Sequence, residues 1–427
     1  MGTFHKAFWV SDGGGQTRKE RRGGSYRYYV PSKLAGLALT LDTDVVSDVV
    51  RAEKAIQELN NSVRFLLGSE GLARFLLRAE AVASSYIEGL QIGTKRLLRA
   101  ELDLARGTAS RSDETAIEIL GSIYAMEDAL VEAQTEKLIS VDTIKRIHCT
   151  LLKNTRIEEY GGVVRAQQNW IGGNWHNPLQ AEFVPPAPEY VEDLLEDLAH
   201  YCNQELVSPV QQAALAHAQF ETIHPFVDGN GRAGRALIHL LLRRRGLTPA
   251  FVPPISLVLA TFSKSYVEGL TAFRFEDSAD SGLINERLNE WLSFFAGTCV
   301  RACKEAQRFE AAALRLRGVW LERLGAVRKG STAELLLDEL IGMPVFTYQS
   351  LCEATGRSLR AVSEAVTQFE AVGIVKPLGK AQRKQSFEVP EILKEFNIFE
   401  RQLASPAGNT ATEKPTRPVP YRINPDG

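Results

Sequence analysis

The chain has 427 residues, 44% hydrophobic and 24% charged, with a formal net charge of −2 and a pI near 6.4. That length holds two or three domains with sizeable cores, and the charge balance gives no global reason to expect nucleic acid or an anionic membrane as partner. No apolar run approaches the roughly 20 residues of a membrane helix. The start Met1-Gly2-Thr3-Phe4-His5-Lys6 carries no apolar signal core, and the five cysteines (149, 202, 299, 303, 352) show neither Cys-x-x-Cys nor zinc-like spacing, so a cytoplasmic protein with reduced thiols and no membrane contact is expected.

Taken in order, residues 11–25 are polar and glycine-rich, which predicts an irregular stretch in a flexible N-terminal segment, 1–30; Tyr26 to Leu34 reads as extended. Val45, Val49, Ala52, Ile56 and Leu59 set a helical period from Asp42 to Leu67. A second helix, Leu72 to Glu88, ends in Ser84-Ser85-Tyr86-Ile87-Glu88-Gly89. Ser84 and Glu88 share a face, Gly89 suits a left-handed helix end, and a glutamate in the last turn faces the negative pole of the helix and would gain from a cation. Helices follow at Glu114–Glu132 and Ser140–Asn154, the latter placing His148 on its apolar side as a core histidine. Glycines, prolines and short extended runs across 161–186 predict a small β-hairpin. Helices at Tyr190–Glu205 and 210–223 come next, the second capped by Ser208-Pro209 and stopped by Pro225.

Residues 224–235, His-Pro-Phe-Val-Asp-Gly-Asn-Gly-Arg-Ala-Gly-Arg, concentrate the chemistry. They offer a base (His224), a hard-metal carboxylate (Asp228), a Gly-Asn-Gly turn and two arginines (Arg232, Arg235), directly before the apolar helix Ala236 to Leu242. Such a turn aims helix-opening N–H groups at one point, where a phosphate fits; guanidinium forks grip its oxygens, and one carboxylate with phosphates can hold Mg2+. No Lys-Ser/Thr follows the glycines, which excludes a Walker loop. A calcium loop starting at Asp228 would place Ala233 where Gly is needed and His239 where Glu is needed. Arg243-Arg244-Arg245 before Gly246 reads as a dipole-matched helix end.

Residues 251–310 predict further helices with Trp291, Phe294 and Phe295 as core anchors, and Cys299 and Cys303 as small packed residues on one face. Ser331-Thr332-Ala333-Glu334 opens a helix to Ile341. A short helix near Gln349–Ala354, a helix from Ser358 to about Val372, and two strands at Ile374–Pro377 and Ser386–Val389 around a polar tip follow the order of a winged helix-turn-helix. Seven basic and five acidic residues across 350–394 leave DNA and protein contact equally open for this part. The proline-rich tail from Ser405 is expected to be disordered.

The twelve residues 224–235 match every specified position of the Fic family motif, H-x-F-x-(D/E)-G-N-G-R-x-x-R, and the chain is identified by this resemblance as a Fic-like protein. The resemblance implies a mainly α fold: a Fic-type helical bundle with a small β-hairpin flap, plus a C-terminal winged-helix-like α+β domain. It implies AMP transfer from ATP to a Ser, Thr or Tyr hydroxyl of a target protein. His224 would be the base and Asp228 the Mg2+ ligand. Gly229, Asn230, Gly231, Arg232, Ala233, Gly234 and Arg235 would hold the nucleotide, with Tyr266 beside the adenosine. Ser84, Glu88 and Gly89 resemble the family's inhibitory motif, whose glutamate pairs with the second motif arginine, here Arg235. Ile171, Gly172 and Gly173 fall in the flap that holds the target strand, although Asn174–Glu182 makes its tip long. Lys, which marks phosphorylating relatives, is absent at Gly231.

The expected division is a helical domain with the inhibitory helix (31–125), a catalytic core (126–300), a connecting helix (301–330), the winged-helix-like domain (331–400) and the tail (401–427). Self-modification and a homodimer are compatible with the resemblance. Two alternatives stay open: removal of AMP from modified protein at the same site, and a DNA-binding regulator, acting through 331–400, that only senses nucleotide.

Overall fold

The structure, a computed structural model, describes residues 2–11, 13–37, 39–62, 69–105, 113–135, 138–271, 274–276, 281–378, 386–406 and 415–416. It is mainly helical with two small antiparallel sheets, and the chain folds into two compact units. No helix among the described residues is long and apolar enough to cross a membrane.

The first unit comprises Met1–Glu53, Tyr124–Leu247 and Lys264–Gly297. Its N-terminus departs from the sequence expectation. The segment expected to be flexible forms an antiparallel hairpin, β1 (Gly2–Trp9) on β2 (Gly24–Pro31), in register from Gly2 with Pro31 to Trp9 with Gly24. The glycine-rich stretch is only the connection between these strands. What holds the hairpin is distant in sequence: Tyr28 packs with Val184 and Ala187, and the N–H of Tyr29 donates to Val184 O at 3.0 Å. The Tyr29 hydroxyl donates to Phe275 O at 2.7 Å.

The predicted hairpin within 161–186 is reduced to a single bridge, Ile171 with Phe183. The Trp170 indole turns to Asn174 O, and Asn177 donates to Lys19 O and Glu20 O, so the long tip is tied to the N-terminal hairpin and runs as a loop instead of a ladder.

Helices α1 (Thr43–Ser62), α2 (Ser69–Ile87), α3 (Thr94–Ala105) and α4 (Glu114–Thr135) precede α5 (Val141–Leu152), which opens on a capping box between Ser140 and Thr143. Then come α6 (Pro188–Cys202), α7 (Pro209–Ile223) and α8 (Asn230–Arg244). Ser208 caps α7 as the sequence requires. Every residue of α7 from Val210 onward is buried, as is α8 from Asn230 to Leu242, so these two helices form the heart of the unit. Gly234 lets them approach: a Cβ there would lie 2.9 Å from both Glu221 Oε1 and Phe220 Cδ1. After α9 (Ile255–Thr261) and α10 (Ser263–Thr271), the long α11 (Ser281–Leu324) brings Trp291, whose indole donates to Ala214 O at 3.1 Å. Trp291 and Phe295 are buried as expected and Phe294 half-buried.

The second unit comprises Lys54–Ile123, Thr248–Ser263 and Thr298–Gly427. Its core includes Phe75 of α2 stacked on Phe309 of α11 at 3.8 Å, with Phe396 edge-on. The buried Glu80 of α2 accepts from the Ser256 N–H and hydroxyl, placing a carboxylate on the first turn of α9. Cys299 and Cys303 are buried and burial pushes both thiols up, so they pack as small residues.

The C-terminal elements are α12 (Thr332–Gly342), β3 (Val345–Thr347), α13 (Tyr348–Thr355), α14 (Leu359–Ala371), β4 (Lys376–Pro377), β5 (Ser386–Glu388) and α15 (Pro390–Leu403). Helices and a sheet in the order β3-β5-β4 make the winged-helix-like arrangement read from the sequence. The polar tip at 379–385 and most of the tail from 407 lie outside the described residues. Arg360 on α14 pairs with Glu364 at 2.9 Å.

Candidate active site

The first unit brings nearly the whole 224–235 stretch to the junction of α7 and α8. His224 ends α7 in the left-handed conformation, φ 49° and ψ 61°, its N–H still donating to Phe220 O at 2.9 Å. Histidine is among the residues that enter this region more readily than most, and Pro225 forbids another helical turn. The imidazole Nδ1 lies 3.9 Å from Oε2 of Glu221, one turn back on α7. Sequence reading passed over Glu221 because a single carboxylate in a buried helix carries no local pattern.

Phe226 is fully buried and stacks on the His148 ring, centroids 3.7 Å apart. The Gly162 N–H donates to His148 Nδ1 at 3.0 Å, so the ring proton sits on Nε2 and donates to Asp228 O at 2.9 Å. Burial pushes the His148 pKa down to about 4, keeping the ring neutral. It is a core histidine, as expected, and it also fixes the loop.

Asn230 clamps the same turn from the other side, donating through Nδ2 to Phe226 O and accepting the Phe226 N–H at Oδ1, both at 2.9 Å. Gly229 takes φ +75°, and a Cβ there would stand 2.8 Å from Leu151 Cδ2.

With Gly229 as N-cap and no side-chain cap, α8 begins with first-turn N–H groups that its own backbone cannot satisfy. The Asp228 side chain is half-exposed; Oδ1 accepts the Gly229 N–H at 2.7 Å and Oδ2 lies 3.7 Å from Arg232 Nη2. Arg232 and Arg235 are both buried, 4% and 1% exposed, so two guanidinium charges are held in low dielectric at the opening turns of the helix. Ala233 and Gly234 fill the positions between them, with Ala233 N–H donating to Gly229 O.

Among the described residues no cluster of three or more His, Cys, Asp or Glu could hold a metal ion alone. A single half-exposed carboxylate suits Mg2+ only when phosphate oxygens complete the shell.

Tyr266, expected beside a base, is 3% exposed and shares a 2.7 Å hydrogen bond with His217 Nε2. In the flap region Ile171 is bridged to Phe183, while Gly172 and Gly173 are exposed at φ +76°.

Ser84, Glu88 and Gly89 belong to the second unit. Gly89 has φ +82°, its N–H donates to Tyr86 O, and the Leu90 N–H donates to Ser85 O. That pair of bonds is a Schellman motif with Gly89 at the left-handed position, and it makes Glu88 the last, exposed residue of the helix end. Ser84 is buried, and the Ser85 hydroxyl donates to Ala81 O and Ser122 Oγ.

Two further residues escaped the sequence reading. Arg165, 3% exposed, and Asn169 come from the first part of the flap region, and both donate to His224 O, at 2.9 and 3.2 Å. A lone arginine among Gly-Gly-Val-Val and a lone asparagine carry no periodic signal.

Residues 138–242 match the Fic/DOC family, and residues 46–131 match the Fic/DOC family N-terminal region. The chain is 30% identical to Protein adenylyltransferase fic-1 of Caenorhabditis briggsae over 238 residues, 53% of this chain and 44% of that protein. It is 34% identical to Protein adenylyltransferase Fic of Drosophila virilis over 158 residues, 36% of this chain and 30% of that one. The alignments thus span less than half the length of these relatives. A crystal structure of a Fic family protein from Desulfovibrio desulfuricans superimposes with a TM-score of 0.49 at 18% identity, covering 82% of this chain and 97% of that one. The likeness to the Fic/DOC family thus lies in residues 46–131 and 138–242, the parts of the chain that its two family models match.

Proposed function

We propose that the chain transfers AMP from ATP to a hydroxyl group of a target protein. The observation that carries this reading is the bare first turn of α8, with the buried Arg232 and Arg235, adjoining the left-handed His224. Two buried guanidinium groups at a helix N-terminus match an anion of several charges, which a triphosphate supplies. The adjoining histidine gives that anion a base to work beside, as a phosphoryl-type transfer requires.

In this reading the polyphosphate lies over the N–H groups of Asn230 and Gly231, with Arg232 and Arg235 on its outer phosphates. Mg2+, held by Asp228 and phosphate oxygens, would neutralise charge on the phosphates. His224 takes the proton from the target hydroxyl as its oxygen bonds to the α-phosphorus. The bond from that phosphorus to the bridging oxygen breaks, and diphosphate leaves. Glu221, facing Nδ1, favours the tautomer with its proton there, which leaves Nε2 as the accepting atom and steadies the imidazolium that forms. The target segment docks along Ile171–Gly173. Tyr266 contributes the wall of the base pocket through its ring.

Glu88 restrains the reaction in this proposal, as the resemblance of Ser84–Gly89 to the inhibitory motif implies. The decisive experiment incubates wild type and His224→Ala with ATP labelled at the α-phosphate, Mg2+ and cell lysate. Label on protein in wild type and its loss in the variant are expected. Equal labelling of both would remove His224 as base. Release of free AMP from a pre-adenylylated protein, without any labelling, would reverse the proposed direction.

A further inference from the structure

Four consecutive carbonyls, those of Ile223, His224, Pro225 and Phe226, each accept a hydrogen bond from Arg165 or Asn169 of the flap region. Arg165 donates from Nε to His224 O at 2.9 Å, from Nη2 to Ile223 O at 3.3 Å, and from its backbone N–H to Pro225 O at 3.0 Å. The same guanidinium reaches Pro186 O at 2.5 Å and Gln167 O at 3.1 Å. Asn169 Nδ2 donates to His224 O at 3.2 Å and Phe226 O at 3.1 Å.

The setting explains why such a grip is needed. A helix end leaves its last carbonyls without intrahelical donors, and α7 ends inside the protein. His224 moreover sits in a backbone region that costs a side-chain-bearing residue stability unless its surroundings hold it there. A buried guanidinium is well matched to converging carbonyls, and its charge sits at the negative pole of α7. Burial lowers the Arg165 pKa only to about 10, so the group stays charged near neutrality.

We propose that Arg165 and Asn169 are positioning residues that hold His224 in its left-handed, base-competent conformation and couple that conformation to the flap. The inference rests on the reading of His224 as the base. Asn169 lies two residues before Ile171, whose N–H and carbonyl make the bridge to Phe183 and Glu182. A target segment seated on the flap therefore bears on the base through a short covalent and hydrogen-bonded path, and a loosely seated one leaves His224 free to relax.

The test uses the full chain with Asn169→Ala and Arg165→Lys. Lysine keeps the charge and loses the fork. Histidines are labelled with carbon-13 at Cα and Cβ, and the His224 signal among the seven is assigned with His224→Gln. AMP transfer and ATP affinity are measured on the same samples. The expected result is a His224 shift pair typical of left-handed backbone in wild type and its displacement in both variants. Transfer should drop tenfold or more, with ATP affinity within threefold of wild type. Unmoved His224 shifts in both variants, or transfer within twofold of wild type, would overturn the proposal. If the shifts move while neither wild type nor Glu88→Gly transfers AMP, the coupling of flap to His224 stands and the proposed activity falls.

Discussion

His217 and Tyr266 share a buried hydrogen bond of 2.7 Å, with their rings 8° from parallel. Burial, reinforced by the charge of Arg235, pushes the His217 pKa down to about 3, so the folded protein keeps this imidazole neutral. The unfolded chain takes up a proton near pH 6.5 that the folded one refuses until about pH 3. The stability His217 contributes is therefore full above 6.5 and is lost as pH falls, at up to about 1.4 kcal/mol per pH unit. His217→Gln should be less stable at pH 7.5 yet lose stability less steeply between pH 6.5 and 4.5. Urea unfolding midpoints across that range check this, and parallel slopes would contradict it.

Gly229 takes a positive φ, and a Cβ would meet Leu151 Cδ2 at 2.8 Å and His148 Nε2 at 3.3 Å. Gly229→Ala combines backbone strain with a collision against the ring that fixes the loop. A loss of about 1–3 kcal/mol of stability is expected, together with at least a tenfold drop in AMP transfer. A variant with wild-type melting and transfer would show that the loop tolerates what its geometry forbids.

Glu221 faces His224 Nδ1 at 3.9 Å. Glu221→Gln keeps the shape and removes the charge that would steady an imidazolium. Transfer is expected to fall about tenfold, which corresponds to about 1.4 kcal/mol in the barrier, with ATP affinity unchanged. An equal weakening of ATP binding would point to nucleotide contact instead of support for the base.

Glu88 sits at an exposed helix end whose Schellman bonds are made by the backbone around it. Glu88→Gly should consequently leave α2 folded, and AMP transfer should rise tenfold or more over wild type. Labelling with α-phosphate-labelled ATP reads the change directly, and an unaltered rate would take the restraint away from this residue.

The helices of the site were legible because their signals are local. Ser140, Ser208 and Gly89 cap or end helices where sequence placed them, and the apolar run after Arg235 is buried throughout. Of the N-terminal hairpin only β2 was legible, as the extended run from Tyr26; β1 was not, since residues such as Val184 and Ala187 that pack against its partner strand lie far along the chain. For the same reason the flap looked like a ladder in its composition, while Asn177 draws its tip toward Lys19 and Glu20. Arg165 and Asn169 act through backbone carbonyls, a kind of contact that leaves no complementary residue type to search for.

The reciprocal clamp of Asn230 on Phe226 bears on how the protein ages. Asn230-Gly231 is the dipeptide most given to spontaneous deamidation, which requires the glycine nitrogen to close on the asparagine Cγ. Here both ends of the side-chain amide are engaged with one residue, and the backbone is committed to the first turn of α8. An amide committed in this way closes on the glycine nitrogen less readily, so the bonds that shape the turn also slow its deamidation.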